Sequence, residues 1–414
     1  MSKRIAVIGA GAAGLIAAGE AASRGAAVTL FEKNDRLGKK LVITGKGRCN
    51  LTNLCDVNEF IRHVPCNGKF LYSALNLFPP DKTYEFFESR GVPLKVERGR
   101  RVFPQSDRSF DIVDALRDYC KSGKVIVRYD KVKVVCAIDG RITGLVTEKG
   151  AEKFDSVIIC TGGLSYPATG SDGDGFRFAR QLGHTVTELC PSLVPLEVDE
   201  VQICRDMMGL SLKNVELTLM CGAKKFYSEL GEMLFTHFGV SGPLVLTAST
   251  KMREIGAKYL LSIDLKPSLG EDELDKRILS DFTKNINRQL KNAFADLLPS
   301  LMIPVFCGIL ANKYGIDTDK KVNGVTKSER AAIIALLKGF TLTVTKTRGF
   351  DEAIITRGGV SIKEIDSTKM ESKLVKGLYF AGEVIDVDAE TGGYNLQIAF
   401  ATGKLAAASA SAGD

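Results

Sequence analysis

The stretch from Ile5 to Glu32 constrains the fold more than any other part of the chain. Ile5-Ala6-Val7-Ile8 is an unbroken apolar run of the kind buried in a parallel sheet. It passes directly into Gly9-Ala10-Gly11-Ala12-Ala13-Gly14, and an Ala-rich segment of helical character continues to Arg24. Gly9 suits a tight turn, Gly11 lets a pyrophosphate approach the backbone, and Gly14 brings helix and strand together. Unpaired N–H groups at the helix start would then face the phosphates. A second apolar strand, Ala27-Val28-Thr29-Leu30-Phe31, ends at Glu32, whose carboxylate matches the two hydroxyls of an adenosine ribose and repels a 2′-phosphate. The series predicts a dinucleotide-binding Rossmann unit.

The far end of the chain selects the dinucleotide. Gly377-Leu378-Tyr379-Phe380-Ala381-Gly382-Glu383 reads as a strand ending in a small-residue turn, and Thr391-Gly392-Gly393-Tyr394-Asn395-Leu396-Gln397 opens a second helix running to about Ala408. NAD completes its site within its own domain, whereas FAD is long enough to need a remote strand and a remote helix start, the latter favouring charge on the reduced ring. FAD is therefore the expected cofactor. No second strand–GxGxxG–helix unit occurs, so NAD(P)H is expected only as a transient reductant.

Composition limits the alternatives. A chain of 414 residues predicts two or three folding units. Lys and Arg exceed Asp and Glu by 56 − 49 = 7 without a long basic block, which favours a small-molecule substrate over a nucleic acid. The ten Cys lack a C-x-x-C pair or metal-ligand spacing, which predicts a reducing cytoplasm, no metal and no dithiol chemistry. Lys3 and Arg4 before an apolar stretch imitate a signal peptide, but the glycine spacing explains that stretch better, and the Leu301–Ala311 run is too short to span a membrane. Oligomeric state leaves no mark in the sequence.

Between the two ends, the polar–apolar alternation around Lys124 to Val146 predicts antiparallel strands joined at Asp139-Gly140. From Pro191 the pattern changes to short strands, including Val215–Met220 and Tyr259–Leu265. Leu274, Ile278, Phe282, Ile286, Leu290 and Phe294 then recur at helical spacing after a Ser268–Glu271 capping pattern. A helix is expected near Leu301–Asn312 and another after the Thr326–Glu329 pattern, before a strand at Phe340–Val344. These patterns predict an α/β protein with a discontinuous FAD-binding Rossmann domain (residues 1–190 and 350–414), a β-barrel-like substrate or cap domain (191–266 and 339–349) and a small helical insert (267–338).

Several strings resemble one family in order and from end to end. They are Gly38-Lys39-Lys40, Thr44-Gly45-Lys46-Gly47-Arg48-Cys49-Asn50-Leu51-Thr52-Asn53, Thr161-Gly162-Gly163-Leu164-Ser165-Tyr166-Pro167 with Thr169-Gly170-Ser171, Phe235-Thr236-His237-Phe238-Gly239-Val240-Ser241-Gly242-Pro243, and Gly358-Gly359-Val360 through to Gln397. The chain resembles the BaiN/YhiN-like flavoproteins, which include aminoacetone oxidase-like proteins and bile-acid ene-reductases. The resemblance implies a glutathione reductase-like FAD domain.

Expected FAD contacts are Gly9, Gly11, Ala12, Ala13, Gly14, Glu32 and Lys33 in the first Rossmann turn, and Lys40, Gly45, Gly47, Arg48 and Asn50 in the following loop. Val134 is expected near the adenine, and Thr161, Gly162, Gly163, Gly382, Glu383, Gly392, Gly393, Tyr394, Asn395 and Leu396 along the rest of the cofactor. Tyr394, Arg357 and His237 are the candidate acid, anion or proton partners, while Cys49 is read as a packing residue. The leading activity implied is reduction of a conjugated C=C bond in an enone such as a 3-oxo bile acid or steroid. Alternatives are an FAD-dependent amine oxidase using oxygen, a flavin-dependent RNA-modifying enzyme, or a flavin-binding protein without turnover.

Overall fold

The computed structural model describes residues 2–253, 256–284 and 286–412. Two compact units emerge, one formed by the chain up to Ser192 and again from Gly349, the other by Leu193–Arg348.

The first unit is organised by five parallel strands, β1 (Arg4–Ile8), β2 (Ala27–Glu32), β3 (Ile126–Tyr129), β4 (Ser156–Ile159) and β5 (Leu378–Phe380), in the order β5-β4-β1-β2-β3. Ile8 lies opposite Ile159 and Phe31, and Ile159 opposite Phe380. Because the strands are parallel and in register, the turns leaving β1, β4 and β5 reach the same edge of the sheet although hundreds of residues separate them in sequence. Ligand sites of open α/β sheets lie at that carboxyl edge. Helix α1 (Ala12–Ser23) buries Ala13 to Ala21, and the long helix α3 (Tyr394–Ser411) buries Phe400, Leu405 and Ala406 in the same core.

A short helix, α2 (Lys39–Ile43), occupies part of what the sequence reads as a loop. Its start is set by Gly38, in the left-handed region at φ 68° with its N–H donating to the Ala10 carbonyl at 2.8 Å, and Leu41 anchors it inward. The alternating segment forms antiparallel strands Val132–Ile138 and Arg141–Thr147. Asp139 and Gly140 connect them at φ 49° and 69°, the paired positive values that a tight hairpin requires.

The second unit contains a closed barrel of Leu196–Val198, Gly239–Ser241, Lys224–Thr236, Ser211–Cys221, Tyr259–Asp264 and Phe340–Thr347, in that spatial order. Val215, Leu217 and Leu219 are buried at alternate positions, as are Leu261 and Ile263 on the neighbouring strand. Helices Glu271–Lys284, Met302–Tyr314 and Lys327–Lys338 contribute Leu274, Ile278, Phe306, Ile333 and Leu337 to the core that holds Leu217, Ile263 and Phe340. Barrel and helical insert thus form one unit because neither buries its apolar face alone. Thr326 and Glu329 form a reciprocal capping box. At the earlier helix the cap lies two residues beyond the expected Ser268–Glu271 pattern, with the Gly270 N–H donating to the Glu273 carboxylate at 3.1 Å. Among the described residues no helix is long and apolar enough to cross a membrane.

Candidate active site and cofactor cavity

At the amino-terminal end, the site is built from backbone. The Gly9 N–H donates to Phe31 at 2.8 Å, and Gly9 has a φ of 96°. A Cβ at Gly14 would lie 1.8 Å from the Gly9 carbonyl oxygen, so only glycine allows this approach of α1 to β1. The buried Glu32 carboxylate accepts the Ala10 N–H at 2.9 Å and the Asn34 backbone and side-chain N–H groups at 2.8 and 2.7 Å. These bonds hold the acid at the mouth of the turn. Lys33 is paired with Asp172 at 2.5 Å and Asp174 at 3.2 Å, and Lys131 approaches Asp174 at 3.5 Å.

A cleft of about 1360 Å³, its open mouth included, runs from Glu32 and Lys33 past Gly9, Gly11, Ala12 and Ala13. It continues along Thr161 and Gly162 to Lys40, Gly382, Glu383, Asn395 and Leu396. Its whole lining belongs to the first unit. At the far end, Lys40 Nζ donates to Ser165 Oγ at 2.6 Å and to Glu383 Oε2 at 2.7 Å. Ser165 Oγ and the Thr356 N–H donate to Glu383 Oε1 at 2.7 and 2.9 Å, while Thr356 Oγ1 accepts the backbone N–H groups of Leu164 and Ser165.

The 18-residue helix α3 begins beside this cleft at Gly393, whose added Cβ would meet Thr52 O at 2.4 Å and Asn50 Oδ1 at 2.9 Å. Asn50 Oδ1 is buried without a hydrogen-bond partner, and so is Thr161 Oγ1 on the cleft wall. Unsatisfied buried acceptors carry a desolvation cost that a bound donor removes. A cleft that takes in two helix starts and a ribose-competent acid, with two orphaned oxygens beside it, suits an extended dinucleotide such as FAD. Those residues would hold it.

Of the residues expected to contact the cofactor, Gly9, Gly11, Ala12, Ala13, Glu32, Lys33, Lys40, Thr161, Gly162, Gly382, Glu383, Asn395 and Leu396 line the cleft. Gly14 lies behind it as a packing position, and Gly163 backs the network, a Cβ there meeting Thr356 Oγ1 at 2.4 Å. Gly392 and Gly393 shape the start of α3, which Asn50 approaches, while Gly45 and Gly47 lie in the preceding turn and, like Asn50, are not among the cleft-lining residues. Arg48 is engaged elsewhere, bonded to Glu97 and to Asp107 at 2.8 Å and stacked on Phe103 at 4.3 Å. Val134 is 38% exposed, because a register shift between Val132 and Val134 re-phases the strand and leaves Val132 on the cleft.

Of the three candidate catalytic residues, Tyr394 and Arg357 belong to the first unit and His237 to the second. Tyr394 is buried with Phe60 edge-on at 5.0 Å and His63 stacked at 4.6 Å, and burial raises its phenol, which stays protonated. Arg357 pairs with Cys190 across a two-stranded ladder directly after the cleft residue Thr356. His237 is exposed in the barrel unit, its carbonyl accepting Arg205 Nε at 3.1 Å. Cys49 is fully buried, and desolvation pushes its thiol up to about 12, as suits a packing residue. The cleft lining also includes Asn34 and Asp130, which closely follow strands, and Lys39 and Asp174, which open helices; none of the four is among the expected site residues. Thr356 and Ser165 were equally silent as site residues.

The chain matches the HI0933-like protein Rossmann domain over residues 3–409. It is 32% identical over 411 residues to a 3-dehydro-bile acid delta(4,6)-reductase of Clostridium scindens, covering 97% of this chain and 98% of that protein. A ribosomal RNA dihydrouridine synthase of Haemophilus influenzae is 31% identical over 410 residues, covering 98% of each. The fold is shared with 3-ketosteroid delta1-dehydrogenase from Sterolibacterium denitrificans, with TM-score 0.53, 14% identity and coverage of 99% of this chain and 100% of that one.

Proposed function

This chain belongs to the HI0933-like Rossmann family and is an FAD-dependent oxidoreductase; from that premise we propose that it reduces a C=C bond conjugated to a carbonyl, the substrate being a 3-oxo steroid or bile-acid enone. The observation that carries this reading is the whole-length similarity to a bile-acid delta(4,6)-reductase in a chain whose cleft suits a flavin dinucleotide. FAD, when bound, supplies a hydride acceptor and donor.

The protein's own part is binding, orientation and charge. The starts of α1 and α3, Glu32 and the cleft-lining Lys39 would hold the cofactor. Addition of a hydride to the β-carbon of an enone places negative charge on the carbonyl oxygen, and a proton then completes the saturated ketone. Tyr394, at the start of α3 beside the cleft-lining Asn395, is kept protonated by burial and is the proposed donor to that oxygen. Arg357 is the alternative cation. NAD(P)H is the proposed transient reductant.

A second reading is favoured by the equally long match to ribosomal RNA dihydrouridine synthases. The C5=C6 bond of uracil is conjugated to the C4 carbonyl, so its saturation is the same chemistry on a different scaffold. One anaerobic experiment separates the readings: NADH- or NADPH-reduced protein is mixed with a 3-oxo-4,6-dienoic steroid or with uridine-containing RNA, and oxidised protein is mixed with an amine, whose oxidation would bleach the flavin. Rapid return of oxidised flavin absorbance with the steroid alone supports the leading reading, RNA alone transfers it to the second, and no response to either C=C substrate rejects both.

A further inference from the structure

We propose that Lys40 sets the reduction potential of the bound flavin, with Glu383 as its opposing and positioning partner. This rests on the reading that the cleft holds FAD.

The cleft has a direction. Glu32 and Lys33 mark the ribose end, and the start of α1 marks the pyrophosphate. Gly382 packs where an added Cβ would touch Ala13 Cβ at 2.9 Å, so Glu383 lies just beyond the pyrophosphate turn. Gly38 is bonded to Ala10, and Lys40 extends from the following helix start to Glu383 and Ser165. The Lys40–Ser165–Glu383–Thr356 network therefore adjoins the pyrophosphate turn, with Lys40, Glu383 and Thr356 on the cleft lining, and we take it to face the part of the cofactor that continues from the pyrophosphate toward the redox-active ring.

The network holds its two charges differently. Glu383 receives three protein donors, from Lys40, Ser165 and the Thr356 backbone, which spread its charge into the wall. Ser165 is 0% exposed and Thr356 is 1% exposed, so the carboxylate is fixed from behind by buried groups. Lys40 and Glu383, with side-chain exposures of 24% and 20%, both line the cleft, so each charge acts on what binds there, with opposite sign. Two-electron reduction of a flavin adds two negative charges and takes up one or two protons, so a nearby cation favours the reduced form whenever uptake is incomplete. Surroundings of reduced dielectric strengthen that preference over its value in water.

The pair makes a signed prediction. Lys40→Met removes the cation and shifts the midpoint potential negative. Glu383→Gln keeps the hydrogen-bond acceptor in place, removes the counter-charge and shifts the potential positive. Each is expected to change the reduced-to-oxidised ratio at fixed potential by at least tenfold, about 30 mV for a two-electron couple.

The experiment is an anaerobic dithionite titration against a reference dye on the FAD-loaded full chain, with far-ultraviolet circular dichroism to verify folding. Lys40→Arg preserves the charge and is expected to stay within twofold of the parent. Shifts of the same sign in Lys40→Met and Glu383→Gln, or shifts below twofold in both, overturn the proposal. Loss of FAD at saturating cofactor in both Lys40→Met and Lys40→Arg also overturns it, identifying Lys40 as an anchor. A parent protein that takes up no FAD would instead refute the cofactor reading.

Discussion

The two units reach a buried core by different routes. The barrel unit is one continuous stretch, Leu193–Arg348, whose strands alternate inward and outward and whose helices add their apolar faces to the same interior. The nucleotide unit joins two distant stretches, and its sheet is complete only when β5 lies beside β4. A self-contained pattern is sufficient for a container. A site for a long cofactor needs remote segments in register, and its tolerance for substitution should be correspondingly lower.

The strongest way to break this comparison is Gly14→Val. A side chain would have to occupy space 1.8 Å from the Gly9 carbonyl, so α1 must leave β1. The expected outcome is a stability loss above about 3 kcal/mol with no retained FAD, read from thermal melting and visible absorbance. Phe340→Ala is the counterpart in the barrel. Phe340 is 1% exposed, and its truncation should cost about 3–4 kcal/mol. The FAD stoichiometry of the protein that remains folded should be unchanged, and a parallel loss of FAD would contradict the separation drawn here.

Glu32→Ala sharpens the comparison within the nucleotide unit. It strands the Ala10 and Asn34 N–H groups and removes the proposed ribose partner. Weakening of FAD affinity by about 10- to 100-fold, equivalent to about 1–3 kcal/mol, is expected in equilibrium dialysis.

The smallest effect concerns pH. Burial lowers the His184 imidazole below its ordinary value despite Glu364 at 3.3 Å, and Ser372 Oγ lies 2.8 Å from its other nitrogen. A depressed folded value means the unfolded chain binds the proton more readily. The contribution is therefore complete above the unfolded value of about 6.5 and is lost as pH falls through the lower folded value. Hydrogen exchange at decreasing pH should show loosening around His184 and Ser372, and His184→Gln should flatten the acid dependence of stability. Equal acid loosening of the barrel, whose one histidine, His237, is exposed, would contradict the assignment.

Much of the architecture was legible where the relevant interactions are close in sequence. The glycine turn, the Asp139-Gly140 hairpin, the Thr326–Glu329 cap and the alternating strand around Leu217 each report local backbone or packing requirements. Val134 and Arg48 show the limit. A single bulge changed which valine faces the cleft, and two carboxylates drew the arginine into an ion-pair cluster. Neither event has a local sequence signature. The Ser268–Glu271 pattern was similarly ambiguous, since a second acid two residues later provided the cap.

The sequence by itself determined that a dinucleotide turn exists, that its second strand ends in an acid, and that a distant glycine pair opens a long helix. These depend on which residues permit a given backbone conformation. Tertiary structure alone decided that Lys40, Ser165, Thr356 and Glu383 share one hydrogen-bonded network, although Lys40 and Glu383 are separated by 343 positions. The physical reason is that parallel register brings strand ends together independently of chain distance, so side-chain partnerships arise at an edge that no linear window contains.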